Sequence, residues 1–209
     1  MNDSTAPLHI TIYSDYVCPW CYIGLQRIER LQREYPVAVE WRPFELHPET
    51  PRGGADLRGR IGNADRVRAY AENIIALAAD SGLEMHMPLV VANSHLALEA
   101  AEFARADGGF ERFHRALFEA YFEEKRDIGD IEVLCEIARA CGVHDQRLRQ
   151  ALADETYREA IDAATTAARL DEVVSTPTYL FEGGFRMTGA QDYAVFASVT
   201  GRLLAKRAN

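Results

Sequence analysis

Alternating apolar and polar positions near the start of the chain predict two strands with a helix between them. Residues 8–13 alternate as a half-buried strand does, and residues 37–42 do so again. Between them, apolar residues recur at spacings of three and four, which indicates one buried helix face: Leu25, Ile28, Leu31 and Tyr35. Pro36 then ends the helix. A strand, a helix and a strand at this spacing form a βαβ unit, so we expect parallel strands joined by a right-handed crossover.

The middle of the chain predicts helices only. Residues 48–62 are rich in Pro, Gly and Arg and indicate a loop. Apolar stripes at helical spacing follow as far as residue 170, and they are typical of a packed helical core. Asn63 is placed to cap the first of these helices, and Asn93 or Ser94 is placed to cap the next.

Strand character returns near the end of the chain. Residues 178–181 and 185–188 flank a Glu-Gly-Gly turn and predict a hairpin, and a last helix is predicted over residues 190–204. The strands therefore bracket a helical block. We expect an α/β fold in which residues 1–47 and 171–209 form one domain and residues 48–170 form an inserted helical domain.

Composition excludes some classes of function. The chain has 209 residues, of which 48% are apolar, and a net charge of −9, which argues against binding to a nucleic-acid backbone. It contains no run of about 18 apolar residues, so we predict no membrane span. The first seven residues are polar and lack the apolar core of a secretion signal, so we expect a cytoplasmic protein.

The most informative motif is Cys18-Pro19-Trp20-Cys21, at the junction of the first strand and the first helix. The start of a helix favours negative charge, so a cysteine there tends to ionise near neutral pH, and thiolate is the species that attacks disulfides. Pro19 suits the first helical position. The alternative is half of a structural zinc site, which needs two more ligands at similar spacing. The sequence has no second pair of that kind, so the motif favours redox chemistry.

The other cysteines and the histidines predict no further site. Cys135 and Cys141 lie on one predicted helix about 9 Å apart along its axis, which is too far for a disulfide, and we interpret them as packing residues. The six histidines show no metal-ligand spacing, so no metal site is predicted. His47, which follows the second strand, is a candidate for the rim of the active site.

Several motifs together resemble one family. They are residues 14–24 around the cysteines, residues 41–46 (WRPFEL), residues 126–130 (RDIGD), Thr176-Pro177 and residues 188–191 (TGAQ). The chain resembles, over essentially its whole length, the FrnE-like thioredoxin-fold disulfide oxidoreductases of the DsbA family. The resemblance implies a thioredoxin-like fold, a central mixed sheet flanked by helices, with an inserted all-helical domain. It also implies a cis peptide between Thr176 and Pro177, beside the cysteines.

Within this resemblance, physical chemistry suggests a role for each residue. Cys18, at the helix start, is the expected exposed nucleophile, and Cys21, one turn later, is the expected resolving thiol. Asp15 is either a proton relay or a cap of the loop. Trp20 either covers the cysteine pair or packs against the fold. Thr176, with Pro177, is expected to bind an extended substrate segment through its backbone, or else simply begins a strand.

These assignments predict a thiol-disulfide oxidoreductase that acts on protein or small-molecule thiols and disulfides. No cofactor is expected apart from a redox-active Cys18–Cys21 disulfide, with glutathione as a candidate co-substrate. The first alternative is a glutathione-dependent isomerase or transferase related to hydroxychromene carboxylate isomerase and the kappa glutathione transferases, which typically have serine where Cys18 stands. The second alternative is a non-catalytic binding module.

Overall fold

The computed structural model describes residues 6–208. The elements in chain order are β1 (Leu8–Ser14), α1 (Pro19–Glu34), β2 (Val37–Pro43), β3 (Ala55–Asp56), α2 (Arg58–Ile61), α3 (Ala64–Ala79), β4 (Val90–Val91), α4 (His95–Ala106), α5 (Phe110–Phe122), α6 (Ile131–Cys141), α7 (Asp145–Ala153), α8 (Arg158–Leu170), β5 (Thr178–Phe181), β6 (Phe185–Thr188) and α9 (Tyr193–Ala208). The strands and helices that the sequence pattern predicts are all present, with shifted ends.

The main sheet has four strands in the order β2-β1-β5-β6. β1 pairs in parallel with β2, from Leu8 opposite Val37 to Ser14 opposite Pro43, as the βαβ unit predicts. β1 is antiparallel to β5, and β5 and β6 form the predicted hairpin. The sheet is therefore mixed and lies between helices, which is the thioredoxin-like architecture expected from the sequence.

Three helices begin at the residues expected to cap them, and the last helix differs from expectation. Cys18 is the N-cap of α1 with Pro19 at its first position, and Asn63 caps α3 by accepting a hydrogen bond from the Arg66 N–H. At the start of α4, Ser94 occupies the N-cap position without a side-chain bond, and Asn93 caps the helix by accepting a hydrogen bond from the His95 N–H at 3.0 Å. The last helix begins later than predicted, because residues 189–192 form a turn in which the Gln191 N–H donates to the Gly189 carbonyl.

The regular elements between β2 and β5 are helices, apart from one short two-stranded ribbon formed by β3 and β4. β3 and β4 pair antiparallel over two residues each, and α2 is a single turn. Elements this short carry no periodic signal, so the sequence pattern could not predict them. The domain boundaries at residues 47 and 170 stay predictions.

Aromatic side chains join the inserted segment to the sheet domain. Tyr22 on α1 stacks on Phe118 and Phe122 of α5, with ring centroids 5.4 and 5.9 Å apart. In the loop before α1, the hydroxyl of Tyr16 bonds to Nδ1 of His114 on α5 at 2.7 Å. These contacts hold the start of α1 against α5. Within residues 6–208, no helix is both long and apolar enough to cross a lipid bilayer.

Candidate active site

The two cysteines of the motif lie side by side at the start of α1, and both are free thiols. Cys18 has extended backbone angles, and the Cys21 N–H donates to the Cys18 carbonyl at 3.0 Å. Cys18 is 4% exposed and Cys21 is 0% exposed. The expectation of an exposed Cys18 is therefore wrong for this conformation. The physical reason is that the segment directly before β5 lies against its sulfur.

The segment that covers Cys18 is the one containing Thr176 and Pro177, which lies directly before β5. The peptide bond between these two residues is cis. The Cys18 thiol donates to the Thr176 carbonyl oxygen, with 3.4 Å between sulfur and oxygen. Thr176 is thus in contact with Cys18, 158 residues away along the chain, and Pro177 follows it directly.

The surroundings move the pKa values of the two thiols in opposite directions. Hydrogen bonding from the Cys21 thiol lowers the pKa of Cys18, helped by the Thr176 side chain and by the Cys21 backbone N–H, and opposed by burial. Burial raises the pKa of Cys21 well above its ordinary value, and the neighbouring Cys18 sulfur raises it further. Cys18 is therefore the thiol that ionises first.

Asp15 lies fully buried between β1 and α1. Its carboxylate accepts hydrogen bonds from the Leu46 N–H at 2.7 Å and from the Val17 N–H at 3.3 Å. Burial nevertheless raises its pKa to about 6, and the nearby charge of Glu45 adds to that rise. Asp15 therefore caps the loop, as one expectation had it, and its pKa also falls where a proton can be exchanged near neutral pH.

A groove of about 280 Å³ opens beside Cys18. Trp20 lines it and also packs against the core, as one of the two expectations had it. Its role in covering the cysteine pair stays a prediction. Tyr70 on α3 faces the same groove, and burial and the Cys18 charge raise the pKa of its hydroxyl. His47 and Arg60 supply polar side chains there, so His47 does reach the rim.

Cys135 and Cys141 take no part in this site. Both are buried on α6, and the Cys135 thiol donates to the Asp145 carbonyl. Burial raises the pKa of each thiol, which makes each less reactive. The interpretation of both as packing residues is confirmed.

The structure also brings together residues that sequence reasoning missed. The Tyr16–His114 bond orders the loop that carries Cys18, and Glu45, His95 and Asp162 converge at one place. Neither group has a sequence signal, because its members are far apart in the chain and meet only through the tertiary fold.

Comparison with known proteins identifies the family. Residues 9–200 match the DSBA-like thioredoxin domain. The chain is 30% identical over 192 residues to the uncharacterized protein YwbO of Bacillus subtilis (strain 168), covering 90% of this chain and 94% of that protein. The structure is similar to that of a probable DsbA oxidoreductase from Streptomyces coelicolor, with a TM-score of 0.86, 25% identity, and coverage of 93% of this chain and 89% of the other. It is also similar to a 2-hydroxychromene-2-carboxylate isomerase, with a TM-score of 0.79, 19% identity, and coverage of 96% and 98%. This chain belongs to the family of DSBA-like thioredoxin domains.

Proposed function

We propose that this protein is a thiol-disulfide oxidoreductase that uses Cys18 and Cys21 as its redox-active pair. The observation that carries the proposal is that two free thiols lie together at the start of α1, with the Cys18 thiol bonded to the Thr176 carbonyl. The surroundings lower the pKa of Cys18 and raise that of Cys21. A thiolate beside a protonated partner is the arrangement that dithiol–disulfide exchange requires.

In the reducing direction, the Cys18 thiolate attacks one sulfur of a substrate disulfide. A mixed disulfide forms, and the other substrate sulfur leaves as a thiolate that takes up a proton. Cys21 then loses its proton and attacks the Cys18 sulfur, which forms the Cys18–Cys21 disulfide and releases the second substrate thiol. Two electrons pass from the cysteine pair to the substrate, and the reverse sequence oxidises a substrate dithiol.

Asp15 is suited to take the proton from Cys21 in the second step. A hydrogen bond from the Asp15 backbone lowers the pKa of Cys21, and the Asp15 carboxyl has a pKa of about 6. A base of that strength is partly protonated near pH 6 and ionised above it, so it can both accept and return a proton under physiological conditions.

The segment at Thr176 and Pro177 and the side chain of Trp20 form the substrate-binding surface in this proposal. The Thr176 carbonyl accepts a bond from the Cys18 thiol and becomes free when that thiol ionises, so it can accept a backbone N–H from a bound peptide. The groove is small, so a protein substrate enters as an exposed loop rather than as a folded surface. Small thiols such as glutathione fit the same space, and no resident cofactor is needed.

A glutathione-dependent isomerase is the second candidate. The structural similarity to 2-hydroxychromene-2-carboxylate isomerase, at 19% identity, shows a shared fold. The polar groups His47 and Arg60 in the groove are compatible with an anionic small molecule. The presence of a second thiol, Cys21, favours disulfide exchange, because isomerisation requires no resolving cysteine.

The test compares three full-length variants in insulin reduction and in the oxidation of reduced ribonuclease. Cys18→Ser is expected to fall to the uncatalysed rate in both assays, because serine is not a nucleophile toward disulfides. Cys21→Ser is expected to accumulate a mixed disulfide at Cys18 that mass spectrometry detects. Cys141→Ala, a buried cysteine outside the site, serves as the matched control and should retain activity.

Activity that survives in Cys18→Ser would exclude the proposed mechanism. If Cys21→Ser instead retains glutathione-dependent turnover of a hydroxychromene carboxylate, while all variants fail in both disulfide assays, the isomerase candidate replaces it.

A further inference from the structure

A histidine and three carboxylates converge away from the cysteine pair, where the inserted helices meet the end of β2. His95 begins α4, Glu99 lies one turn later on it, Glu45 follows β2, and Asp162 lies on α8. His95 Nδ1 is 2.9 Å from a Glu45 oxygen, and His95 Nε2 is 3.5 Å from a Glu99 oxygen. One donor atom from each of Glu45, His95 and Asp162 lies within 4.8 Å of the other two.

Burial makes this cluster unlike an ordinary group of surface acids. The side chains of Glu45 and Glu99 are 4% and 0% exposed, and that of His95 is 12% exposed. Among the described residues, neither oxygen of Glu99 has a hydrogen-bond partner, and His95 Nε2, which faces it, has none either. Carboxylates removed from water in this way need a compensating positive charge or a proton.

The protein's own cations supply little of that charge. Arg52 and Arg158 line the adjacent cavity, and each pairs with Glu155, at 3.7 and 3.0 Å, so the attraction of Arg158 for Glu99 is shared with Glu155. One imidazole thus faces three carboxylates, and the cluster keeps a surplus of negative charge even with that imidazole protonated.

The partners of the two His95 ring nitrogens match the arrangement of a metal-bound histidine. A ligating imidazole usually donates its other ring N–H to a carboxylate, which fixes its orientation. Here Nδ1 faces Glu45 and Nε2 faces the buried carboxylate of Glu99. Glu45 is itself anchored to α8, because its N–H donates to the hydroxyl of Thr165, one turn after Asp162.

We infer that Glu45, His95 and Asp162 bind a divalent transition-metal ion, with Glu99 holding the His95 ring in place from its other side. One imidazole nitrogen and two carboxylate oxygens form a donor set that suits Zn²⁺, Mn²⁺ or Fe²⁺ and offers no sulfur to select copper(I). A cavity of about 500 Å³, also lined by Asn93 and Asp130, adjoins the three ligands and gives water room to complete the coordination.

The inference does not depend on the proposed redox function, since no cysteine takes part. Its alternative is a purely structural ion triad, in which a protonated His95 bridges Glu45 and Glu99 and binds no metal. The two differ in whether the folded protein takes up one metal ion through oxygen and nitrogen ligands.

The test is an optical titration of the full-length protein, stripped of metal and kept reduced, with Co²⁺, followed by displacement with Zn²⁺. The same titration is run on Cys18→Ser/Cys21→Ser, because the thiols could bind either ion. We expect one equivalent of Co²⁺ in both proteins, with visible ligand-field bands and no thiolate charge-transfer band. Asp162→Asn, a change at an exposed position, should weaken binding at least about tenfold, and Glu99→Gln about 10- to 100-fold.

Glu159→Gln is the matched control, because it removes an exposed carboxylate of the same helix, one turn away from Asp162 and outside the ligand cluster. It should leave the affinity unchanged. The inference is overturned if the protein binds no Co²⁺, if binding disappears in the double cysteine variant, or if Asp162→Asn and Glu159→Gln bind equally well. Circular dichroism of each variant shows whether a loss of binding reflects a loss of fold.

Discussion

At the scale of single residues, the fold buries the ionisable carboxyl group of Asp15, although removing its charge from water costs free energy. Two backbone N–H groups favour the carboxylate, but burial and the charge of Glu45 outweigh them, and the pKa rises to about 6. The charge of Asp15 in turn raises the pKa of Cys18. The carboxyl group therefore lowers the stability of the folded state at neutral pH, which is a common feature of functional groups in buried sites.

Replacing Asp15 with asparagine should make the protein's stability less dependent on pH. The folded-state pKa of about 6 exceeds the ordinary value of 3.8. The contribution of Asp15 to the stability of the folded state is therefore fully present below pH 3.8 and is lost as pH rises through 6. A shift of two units corresponds to about 3 kcal/mol. The free energy of unfolding in urea should therefore be measured at about pH 4 and pH 7. Relative to the wild type, that of Asp15→Asn should be higher at pH 7 than at pH 4 by up to about 3 kcal/mol.

The control for this measurement is Asp80→Asn, which changes an exposed aspartate at the end of α3. Its stability should run parallel to that of the wild type from pH 4 to pH 7. A parallel curve for Asp15→Asn as well would mean that the folded protein does not raise the pKa of Asp15.

At the scale of elements, the position of the cysteines depends on how closely α1 packs against β5. Gly24 allows this contact, because a Cβ at that position would collide with the hydroxyl of Tyr179 and would lie 3.5 Å from the Pro177 ring. Gly201, in α9, also lies within a long helix, but a Cβ there would meet nothing within 4 Å. Both glycines thus lie within a helix, but only Gly24 lacks room for a side chain.

Alanine at these two positions should change stability in opposite directions. Gly24→Ala should destabilise the protein by about 1–3 kcal/mol, because α1 must move away from Tyr179. Gly201→Ala should stabilise it by up to about 1 kcal/mol, because alanine is the better helix former. Denaturant unfolding of both variants measures the difference, and equal effects would show that α1 and β5 are not in close contact at Gly24.

The sequence predicted the elements better than their contacts. Periodicity identified β1, α1, β2 and the β5–β6 hairpin because each has a face buried in the core, and burial imposes a repeat. β3 and β4 escaped prediction because two residues cannot show a repeat. The Tyr16–His114 bond and the Glu45–His95 pair also escaped, because each joins residues at least 50 apart that carry no pattern of their own.

At the scale of the whole molecule, the site is assembled from distant segments. The motif around Cys18 was recognisable from sequence because both thiols lie in one helical turn. The family resemblance also placed Thr176 beside the cysteines, from beyond the inserted helices. Neither the motif nor the resemblance predicted that this segment buries Cys18, or that Tyr70 of α3 lines the groove beside it. That cover explains why the sequence predicted an exposed Cys18 while the structure buries it.

The lowered pKa of Cys18 should make the stability of the reduced protein depend on pH more strongly than that of the oxidised protein. A thiol whose folded-state pKa lies below its unfolded value of 9.0 adds stability as pH rises toward 9.0, and this gain is lost as pH falls through the folded pKa. The oxidised protein has no Cys18 thiol to ionise.

Between pH 7 and 8, where Asp15 is already ionised, the free energy of unfolding of the reduced protein should therefore rise relative to that of the oxidised protein. The expected excess is up to about 1.4 kcal/mol per pH unit. Guanidinium unfolding of both redox forms at the two pH values measures it, and reduced Cys18→Ser, which has no thiol at this position, should lack the rise. A difference that stays constant or falls over this range would show that the fold does not stabilise the Cys18 thiolate, and Cys18 would then lose its place as the attacking sulfur.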